Sequence, residues 1–251
     1  MSVQSGSVRP EPRRAIAVFA KCPVPGRVKT RLVPPLESGE AAGLARAFLA
    51  DTARLLARAR AEQKTIYFAP DAGARDIAGI VGERFELTPQ GGGDLGERLE
   101  RAADREFERG CDALVILGAD TPTLPLELVE LAFAALAAAD VVLGPAFDLG
   151  YYLVGLGRPA AAIFQGIRWG SEEVLPASLA AIRGAGLRLA VLPPFHDVDR
   201  IEDLRFLRAH IEALRLAGGE VPQATASFLD GLPERALADR PDAARKPPRA
   251  V

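Results

Sequence analysis

The sequence predicts an α/β fold in which helices cover a mostly parallel β-sheet. Short apolar segments alternate along the chain with amphipathic segments of helical period, which is typical of such folds. Segment 113–117 is an unbroken apolar run, as expected for a strand buried on both faces of a parallel sheet. Segments 141–143 and 151–154 lie too close for a helical crossover, so one of these two strands is predicted to be antiparallel.

The predicted elements follow one another from the first apolar run to the last amphipathic segment. Ser38 is the predicted N-cap of the first helix, and Gly110 ends the third. Strands are predicted at 15–20, 65–68, 85–87, 113–117, 141–143, 151–154 and 187–192. Helices are predicted at 38–61, 74–81, 95–109, 126–138, 171–183 and 202–216.

The chain of 251 residues suits one α/β domain with tails. Residues 1–13 are polar and carry two prolines, so they are predicted to be a disordered lead. The domain is predicted to span 14–217. Residues 218–251 are rich in Pro, Ala, Gly and Arg and are predicted to be a partly disordered tail with at most a short helical turn, disordered from 235.

Composition excludes several classes of partner. A net charge of −2 gives no electrostatic reason to expect binding to nucleic acid or an anionic membrane. No run approaches the ~20 apolar residues of a membrane span, and the run 15–20 is too short for a signal-peptide core. Two cysteines, Cys22 and Cys111, suggest neither a zinc cluster nor a disulfide scaffold, so a cytoplasmic location is predicted. The oligomeric state stays open.

Asp120 stands where the central apolar strand ends, within the sequence Gly118-Ala119-Asp120-Thr121-Pro122. Ligands bind at the carboxyl edge of open α/β sheets. A carboxylate at this place could cap the next helix, or it could hold a divalent metal ion that carries a phosphate. The metal role is favoured because Thr123 is better placed as the cap.

A second acidic group, Asp197 and Asp199, follows the last predicted strand. Carboxylates at alternate positions point the same way if the backbone is extended. Together with Asp120, they could supply two or three oxygens to Mg²⁺ or Mn²⁺, with substrate phosphates and water completing the shell. The alternative is that Asp199 caps the helix that follows. The neighbouring His196 is as consistent with a structural role as with a catalytic one.

The loop after the first strand is basic. Lys21, Lys29 and Arg31 could present their charges to phosphates, and two prolines limit the conformations of this loop. The alternative is a solvated basic loop. It is not a Walker A motif, because Val28 precedes Lys29-Thr30 where that motif requires glycine.

The segment 90–96, Gln-Gly-Gly-Gly-Asp-Leu-Gly, contains a G-x-G-x-x-G match. It does not lie in the first βα unit, so a dinucleotide-binding fold is disfavoured. A turn that contacts a nucleotide through Gln90, Gly92 and Asp94 is predicted instead, with Asp94 as the N-cap of the following helix.

Five motifs occur in one order: FAKCPVPGRVKTRL, QGGGDLG, GADTP, GPAFDLGYYLVGL and HDVDRIEDL. In this order they resemble a bacterial family of GT-A-fold transferases of the arsenosugar-biosynthesis or radical-SAM-associated type, in the nucleotide-diphospho-sugar transferase superfamily. The chain resembles more distantly the guanylyltransferases that activate phospholactate and the molybdenum-cofactor nucleotidyltransferases. The resemblance implies a three-layer α/β/α GT-A fold.

The resemblance also implies roles for residues. The first loop and the segment 90–96 would bind the nucleotide, Asp120 with Asp197 or Asp199 would hold the metal, and the segment around Asp148 would face the acceptor. The family pattern there is Asp-Gly-Gly-Tyr, whereas this chain has Leu149 after Asp148. Leucine costs more than glycine at positive φ and blocks close approach to the backbone.

The predicted function is metal-dependent glycosyl transfer from a nucleoside-diphosphate sugar to a small acceptor. Asp120 and Asp148 are the predicted catalytic residues, Asp148 as a general base or as a hydrogen-bond partner of a sugar. Inversion and retention are both open. One alternative is a nucleotidyltransferase that joins a nucleotide to a phosphorylated molecule and releases pyrophosphate. The other is a non-catalytic nucleotide-binding module.

Overall fold

A single seven-stranded sheet forms the centre of the computed structural model, which describes residues 12–237. The strand order is β3-β2-β1-β4-β6-β5-β7. The strands are β1 Arg14–Lys21, β2 Gln63–Ala69, β3 Glu86–Pro89, β4 Ala113–Gly118, β5 Val141–Pro145, β6 Tyr151–Leu156 and β7 Leu189–Val191.

One strand runs against the others. β6 pairs antiparallel with both β4 and β5, while β1, β2, β3 and β4 pair in parallel and β7 runs parallel to β5. A short turn rather than a crossover connects β5 to β6, so the chain has to reverse there. The predicted mostly parallel sheet with an antiparallel strand is therefore confirmed.

Helices occupy the intervals between strands. They are α1 Ser38–Leu56, α2 Ala74–Val81, α3 Leu95–Glu108, α4 Leu126–Ala135, α5 Val174–Gly184, α6 Ile201–Leu216 and α7 Gln223–Asp230. The first six correspond to the predicted helices, although α1 and α4 end earlier and α5 begins later than predicted. None of the helices described between residues 12 and 237 is long and apolar enough to cross a membrane.

The helices form one layer on each face of the sheet. In β1, Ile16 and Val18 face a core cluster that includes residues of α1, α2 and α4. The intervening Ala15 and Ala17 face a second cluster that includes residues of α3 and α5. Alternate residues of one strand thus contact opposite layers, as the period of a strand requires. The predicted three-layer arrangement is confirmed.

A third core cluster joins the C-terminal helices to the first loop. Leu32 and Phe48 pack in it with Val198 and with residues of α6 and α7. The N-terminus of α7 is capped by Asp51 of α1, whose carboxylate accepts hydrogen bonds from the N–H groups of Ala224 (3.0 Å) and Thr225 (2.7 Å).

Residues 218–237 are therefore more ordered than the predicted tail. They include a complete helix, α7, and a short 3₁₀ helix at Glu234–Ala236, which extends into the segment predicted to be disordered from 235. The helix forms because Ala226 and Leu229 of α7 are buried against the domain. Residues 1–11 and 238–251, to which the remaining predictions of disorder refer, lie outside the described residues.

Candidate functional site

Four segments meet at the carboxyl edge of the parallel strands: the loop after β1, the end of β4, the β5–β6 turn and the segment after β7. Phe195 N–H donates to the carbonyl of Pro145 (3.0 Å), and Val198 N–H donates to the carbonyl of Asp120 (3.0 Å). The last segment therefore crosses from β5 to β4. It brings Asp197 and Asp199 to the edge where Asp120 ends the central strand, as the sequence predicted for the sheet edge.

Lys29 links the first loop to two of these carboxylates. Its Nζ lies 2.8 Å from Asp120 Oδ1 and 3.0 Å from Asp199 Oδ1, and it donates to the carbonyl of Val198 at 2.7 Å. The Lys29 side chain is only 5% exposed, and its Nζ lies 5.6 Å from the ring centroid of Phe48. Lys29 is thus buried in the protein rather than directed into solvent.

The charges of this cluster shift one another's pKa. Burial alone would lower the pKa of Lys29, but Asp120 and Asp199 raise it above its ordinary value. Burial alone would raise the pKa of Asp199, but Lys29 and then Arg31 hold it below the ordinary range. Arg31 Nη1 lies 3.6 Å from Asp199 Oδ2, with 60% of the Arg31 side chain exposed.

Asp197 lies in a different electrostatic environment. Burial, followed by the charges of Asp148 and Asp199, raises the pKa of Asp197 to about 6. The region between Asp197 and Asp148 therefore has an excess of negative charge that the neighbouring Lys29 only partly offsets. A cation in this region would relieve the repulsion.

Asp148 lies in the β5–β6 turn and is exposed to solvent. Its Oδ1 accepts a hydrogen bond from Gly150 N–H at 2.9 Å, so the turn itself orients the carboxylate. Leu149 adopts a φ of +67°, the left-handed conformation that favours glycine. The side chains on either side of Asp148 are unusually exposed for apolar residues, Phe147 at 72% and Leu149 at 43%.

The turn at 90–96 is held by its own side chains and backbone. Gln90 is buried, and its Nε2 donates to the carbonyls of Ala20 (3.2 Å) and Tyr67 (2.9 Å). Asp94 is the N-cap of α3, as predicted: it accepts from Glu97 N–H at 2.9 Å.

The side chain of Gln90 has a structural role in this geometry. Its amide N–H groups join β1 to β2, because the carbonyl groups that they reach belong to those two strands. The predicted contact of Gln90, Gly92 and Asp94 with a nucleotide stays a prediction; Gly92 and Asp94 are exposed.

The alternative in which Asp199 caps α6 is wrong. The N-cap position is Arg200, and the carboxylate of Asp203 accepts from the N–H groups of both Asp199 (3.0 Å) and Arg200 (2.7 Å). Asp203 was missed in the sequence, although its place three residues after the N-cap is the signal of a capping box. Lys21 lies exposed at the end of β1, where its charge also lowers the pKa of Asp199.

His196 has a structural environment. Its ring stacks on Phe195 (centroids 4.6 Å apart) and meets the edge of Phe206 (4.6 Å). Burial, followed by the nearby His210, lowers its pKa. These contacts favour the structural alternative for His196.

The carboxylates fit a metal ion that arrives with phosphates. Between residues 12 and 237, no three His, Cys, Asp or Glu side chains are grouped closely enough to hold a metal alone. Asp120 and Asp199 nevertheless converge on one cation position, since each places an oxygen within 3.0 Å of the same ammonium group. Mg²⁺ typically takes one or two carboxylates, with waters and substrate phosphates. The residues present match that kind of site.

Comparison with known proteins identifies the family and the fold of the chain. A family described as "Uncharacterized protein conserved in bacteria (DUF2064)" matches residues 52–171. The 2-phospho-L-lactate guanylyltransferase of Methanothermobacter thermautotrophicus is 30% identical over 190 residues, which cover 73% of this chain and 80% of the relative. The chain belongs to the DUF2064 family. The matched DUF2064 region includes Asp120 and Asp148, whereas Lys29, Asp197 and Asp199 lie outside it.

Two solved structures show the same fold. A crystal structure from Desulfovibrio desulfuricans G20, provisionally named a nucleotide-diphospho-sugar transferase, is 35% identical, with a TM-score of 0.79 over 86% of this chain and 94% of that one. Rv0371c from Mycobacterium tuberculosis H37Rv, solved in complex with manganese, is 16% identical, with a TM-score of 0.50 over 78% of this chain and 97% of that one. This DUF2064 protein therefore has the nucleotide-diphospho-sugar transferase-like fold, and its relatives are transferases.

Proposed function

We propose that the protein is a metal-dependent transferase that moves a sugar from a nucleoside-diphosphate sugar to a small, uncharged acceptor. The observation that carries this proposal is the charge on the acceptor side. Asp148 and Asp197 lie on that side, and burial, followed by the charges of Asp148 and Asp199, raises the pKa of Asp197 to about 6. The side therefore carries an excess of negative charge. Such a surface would repel a phosphorylated acceptor, whereas it can orient a hydroxyl group.

The donor would lie across the basic loop. Arg31 and Lys21 are exposed cations next to the carboxylate cluster, and they are available to the diphosphate. The backbone of the turn at 90–96 would contact the nucleoside. Both contacts are those that the motif resemblance implies. The proposal also places the protein in the transferase subgroup of the arsenosugar-biosynthesis type.

Asp120, assisted by Asp197 or Asp199, would hold Mg²⁺ or Mn²⁺; Asp120 and Asp199 both contact the Lys29 ammonium in the ligand-free protein. The manganese complex of the distant Rv0371c supports the choice of a divalent metal. When bound, the metal would offset the charge that develops on the leaving nucleoside diphosphate. Asp148 would accept the proton of the acceptor hydroxyl, or a hydrogen bond from it. The proposal includes a cytoplasmic location, which the unpaired, buried Cys22 and Cys111 support.

Nucleotidyl transfer is the second candidate. The 30% identical relative is a guanylyltransferase, and this similarity favours a reaction in which a nucleoside monophosphate is transferred and pyrophosphate leaves. The acceptor in this reaction would be a phosphorylated small molecule. Its phosphate would require cations near Asp148 in addition to the metal ion that Asp197 would help to hold, and the carboxylates there are the observation against it.

Product analysis tests the proposal. The protein is incubated with Mn²⁺ and a panel of nucleoside-diphosphate sugars or nucleoside triphosphates, with and without hydroxyl-bearing or phosphorylated acceptors, and the phosphorus products are identified by ³¹P NMR. Release of a nucleoside diphosphate supports glycosyl transfer. Release of pyrophosphate supports the second candidate. Binding of nucleotide without turnover of any donor would support the non-catalytic module.

A further inference from the structure

The Lys29 ammonium has no hydrogen-bonding capacity left for a donor phosphate. A lysine ammonium carries three N–H donors. Lys29 Nζ has three oxygen acceptors within the protein, which are Asp120 Oδ1 (2.8 Å), Asp199 Oδ1 (3.0 Å) and the carbonyl oxygen of Val198 (2.7 Å). Its geometry is that of a cation enclosed by its ligands.

The surrounding structure fixes Lys29 in this position. Its backbone adopts a left-handed conformation (φ 48°, ψ 37°), which costs a residue other than glycine about 1 kcal/mol. Directly after it, a short 3₁₀ helix places Leu32 in the third core cluster. The ammonium group of Lys29 lies over the ring of Phe48, 5.6 Å from its centroid, and Phe48 belongs to the same cluster. The loop therefore directs this ammonium towards the carboxylates, and the ion pairs offset the backbone cost.

A divalent metal and the ammonium would neutralise the same charges. Asp120 and Asp199 each direct an oxygen to the position that Nζ fills, and Asp199 also faces Arg31 at 3.6 Å. If the ammonium were removed, two converging carboxylates would be left without their closest cation. Such a pair attracts a divalent ion strongly, since affinity for these ions rises with the number of charged ligands.

We infer that Lys29 is the built-in cation of the site, holding Asp120 and Asp199 in place until the metal enters with its nucleotide. This inference rests on the proposed metal dependence. It makes Lys29 a positioning residue rather than a ligand of the donor phosphates. It also implies that the metal ion binds weakly without nucleotide, because the position between the two carboxylates is already filled.

Manganese binding without nucleotide tests the inference. Lys29→Met removes the charge and keeps the apolar stem on Phe48, while Lys29→Arg keeps the charge. Arg46→Met, at an exposed position of α1, is the matched control for loss of a surface cation. The readouts are the dissociation constant for Mn²⁺, from electron paramagnetic resonance or calorimetry, and the unfolding midpoint in chelator and in Mn²⁺.

We expect Lys29→Met to bind Mn²⁺ at least about tenfold more tightly than the native protein, because freed carboxylates raise the affinity. Its unfolding midpoint should be low in chelator and recover in Mn²⁺, whereas Lys29→Arg and Arg46→Met should resemble the native protein in Mn²⁺ affinity. Unchanged Mn²⁺ affinity in Lys29→Met, or no recovery of its midpoint, would overturn the inference.

Lys29→Met could fail to fold in chelator, and refolding then gives the same information. Refolding that succeeds in Mn²⁺ and fails in chelator supports the inference, and failure in both overturns it.

None of these readouts uses transferase activity. A protein that transfers sugars but shows no Mn²⁺ effect in Lys29→Met would refute the role of Lys29 alone. A protein with the Mn²⁺ effect and no turnover would refute the proposed reaction alone.

Discussion

The backbone N–H of Leu175 donates a hydrogen bond to the carbonyl oxygen of Leu149 at 2.8 Å. This bond ties the β5–β6 turn to the beginning of α5. A second bond, from Leu149 N–H to the carbonyl of Ala146 (3.3 Å), holds the same residue from the other side. Leu149 is therefore held at its φ of +67° by its backbone, with its side chain 43% exposed.

Leu149→Gly should leave stability within ~1 kcal/mol of the native protein, because relief of the left-handed conformation offsets the added freedom of the unfolded chain. Turnover with bulky acceptors should rise as the side chain is removed. Leu149→Ala is the control, since it shortens the side chain and keeps the backbone cost, so it should melt below Leu149→Gly. Melting temperature and turnover are measured side by side. A large loss of stability in both variants with unchanged kinetics would mean that the side chain packs in the fold.

Asp120→Asn should abolish the part of the nucleotide-induced thermal shift that depends on Mn²⁺. The amide carries no charge to hold the metal, whereas nucleotide contacts with Arg31 would persist. Asp104→Asn, at an exposed position of α3, should keep the full shift. Thermal shifts are compared with nucleotide in chelator and in Mn²⁺. An undiminished Mn²⁺-dependent shift in Asp120→Asn would remove this residue from the metal site.

Arg31→Ala should weaken nucleotide binding by ~1–3 kcal/mol, the scale of a charge-assisted hydrogen bond. Its side chain is 60% exposed, so the melting temperature without ligand should hardly change. Calorimetry gives the affinity, and Arg46→Ala on α1 controls for the loss of an exposed arginine. Lys29→Ala differs, since it removes a buried cation that pairs with two carboxylates, and it should lower stability. Equal nucleotide affinity in Arg31→Ala and the native protein would place the diphosphate elsewhere.

Asp197→Asn should stabilise the ligand-free protein above about pH 6. The folded pKa of Asp197 is about 6, against an ordinary value of 3.8, so the folded state binds more protons than the unfolded state between these values. Stability therefore falls as the pH rises through this window, and the penalty is complete above it. After allowance for solvent screening, the gain from the substitution should be about 1 kcal/mol at pH 8.

That gain should vanish below about pH 4, where Asp197 is protonated in both states. Unfolding curves from pH 4 to pH 8 check the trend. In the presence of Mn²⁺ and nucleotide, the native protein should be more stable than Asp197→Asn, because the native carboxylate then has a metal to bind. A variant that is less stable than the native protein at pH 8 without ligand would contradict the excess of negative charge at this position.

Asp51→Ala should destabilise the domain by ~1–2 kcal/mol, since it removes the cap of α7. Two N–H groups of that helix would lose their acceptor in a buried environment. Chemical denaturation measures the change, with Asp104→Ala as the exposed control. Unchanged stability would show that α7 contributes little to the domain, and that the predicted boundary at residue 217 marks the true end of the core.

The sheet and its functional edge were predictable because the signals are local. An apolar run shows where β4 lies, and the polar residue that follows it shows where the strand ends, so Asp120 could be assigned to the edge. Asp94 could be assigned as a cap from its position before an amphipathic segment. The short interval between β5 and β6 predicted the reversed strand.

Residues that act through distant partners were not predictable in this way. Lys29 was predicted to present its charge to phosphates, and its pairing with Asp199 was not predicted because that partner lies 170 residues later in the chain. The hydrogen bonds by which Gln90 joins β1 to β2 were not predicted, because their acceptors are backbone carbonyls, which leave no mark in a sequence. The length of helix α7 was underestimated because its cap, Asp51, lies in the middle of another helix.

The reversed strand β6 places the turn with Asp148 outside the βα units of the sheet. Because β6 runs against its neighbours, the turn that carries Asp148 projects from the edge where the parallel strands end without being part of any βα unit. Insertions or substitutions in this turn leave the pairing of β1 with β4 unchanged. In the proposed transferase, changes in this hairpin would alter the acceptor side and leave the nucleotide-binding half intact, and Leu149, where the resembling family has glycine, would be such a change.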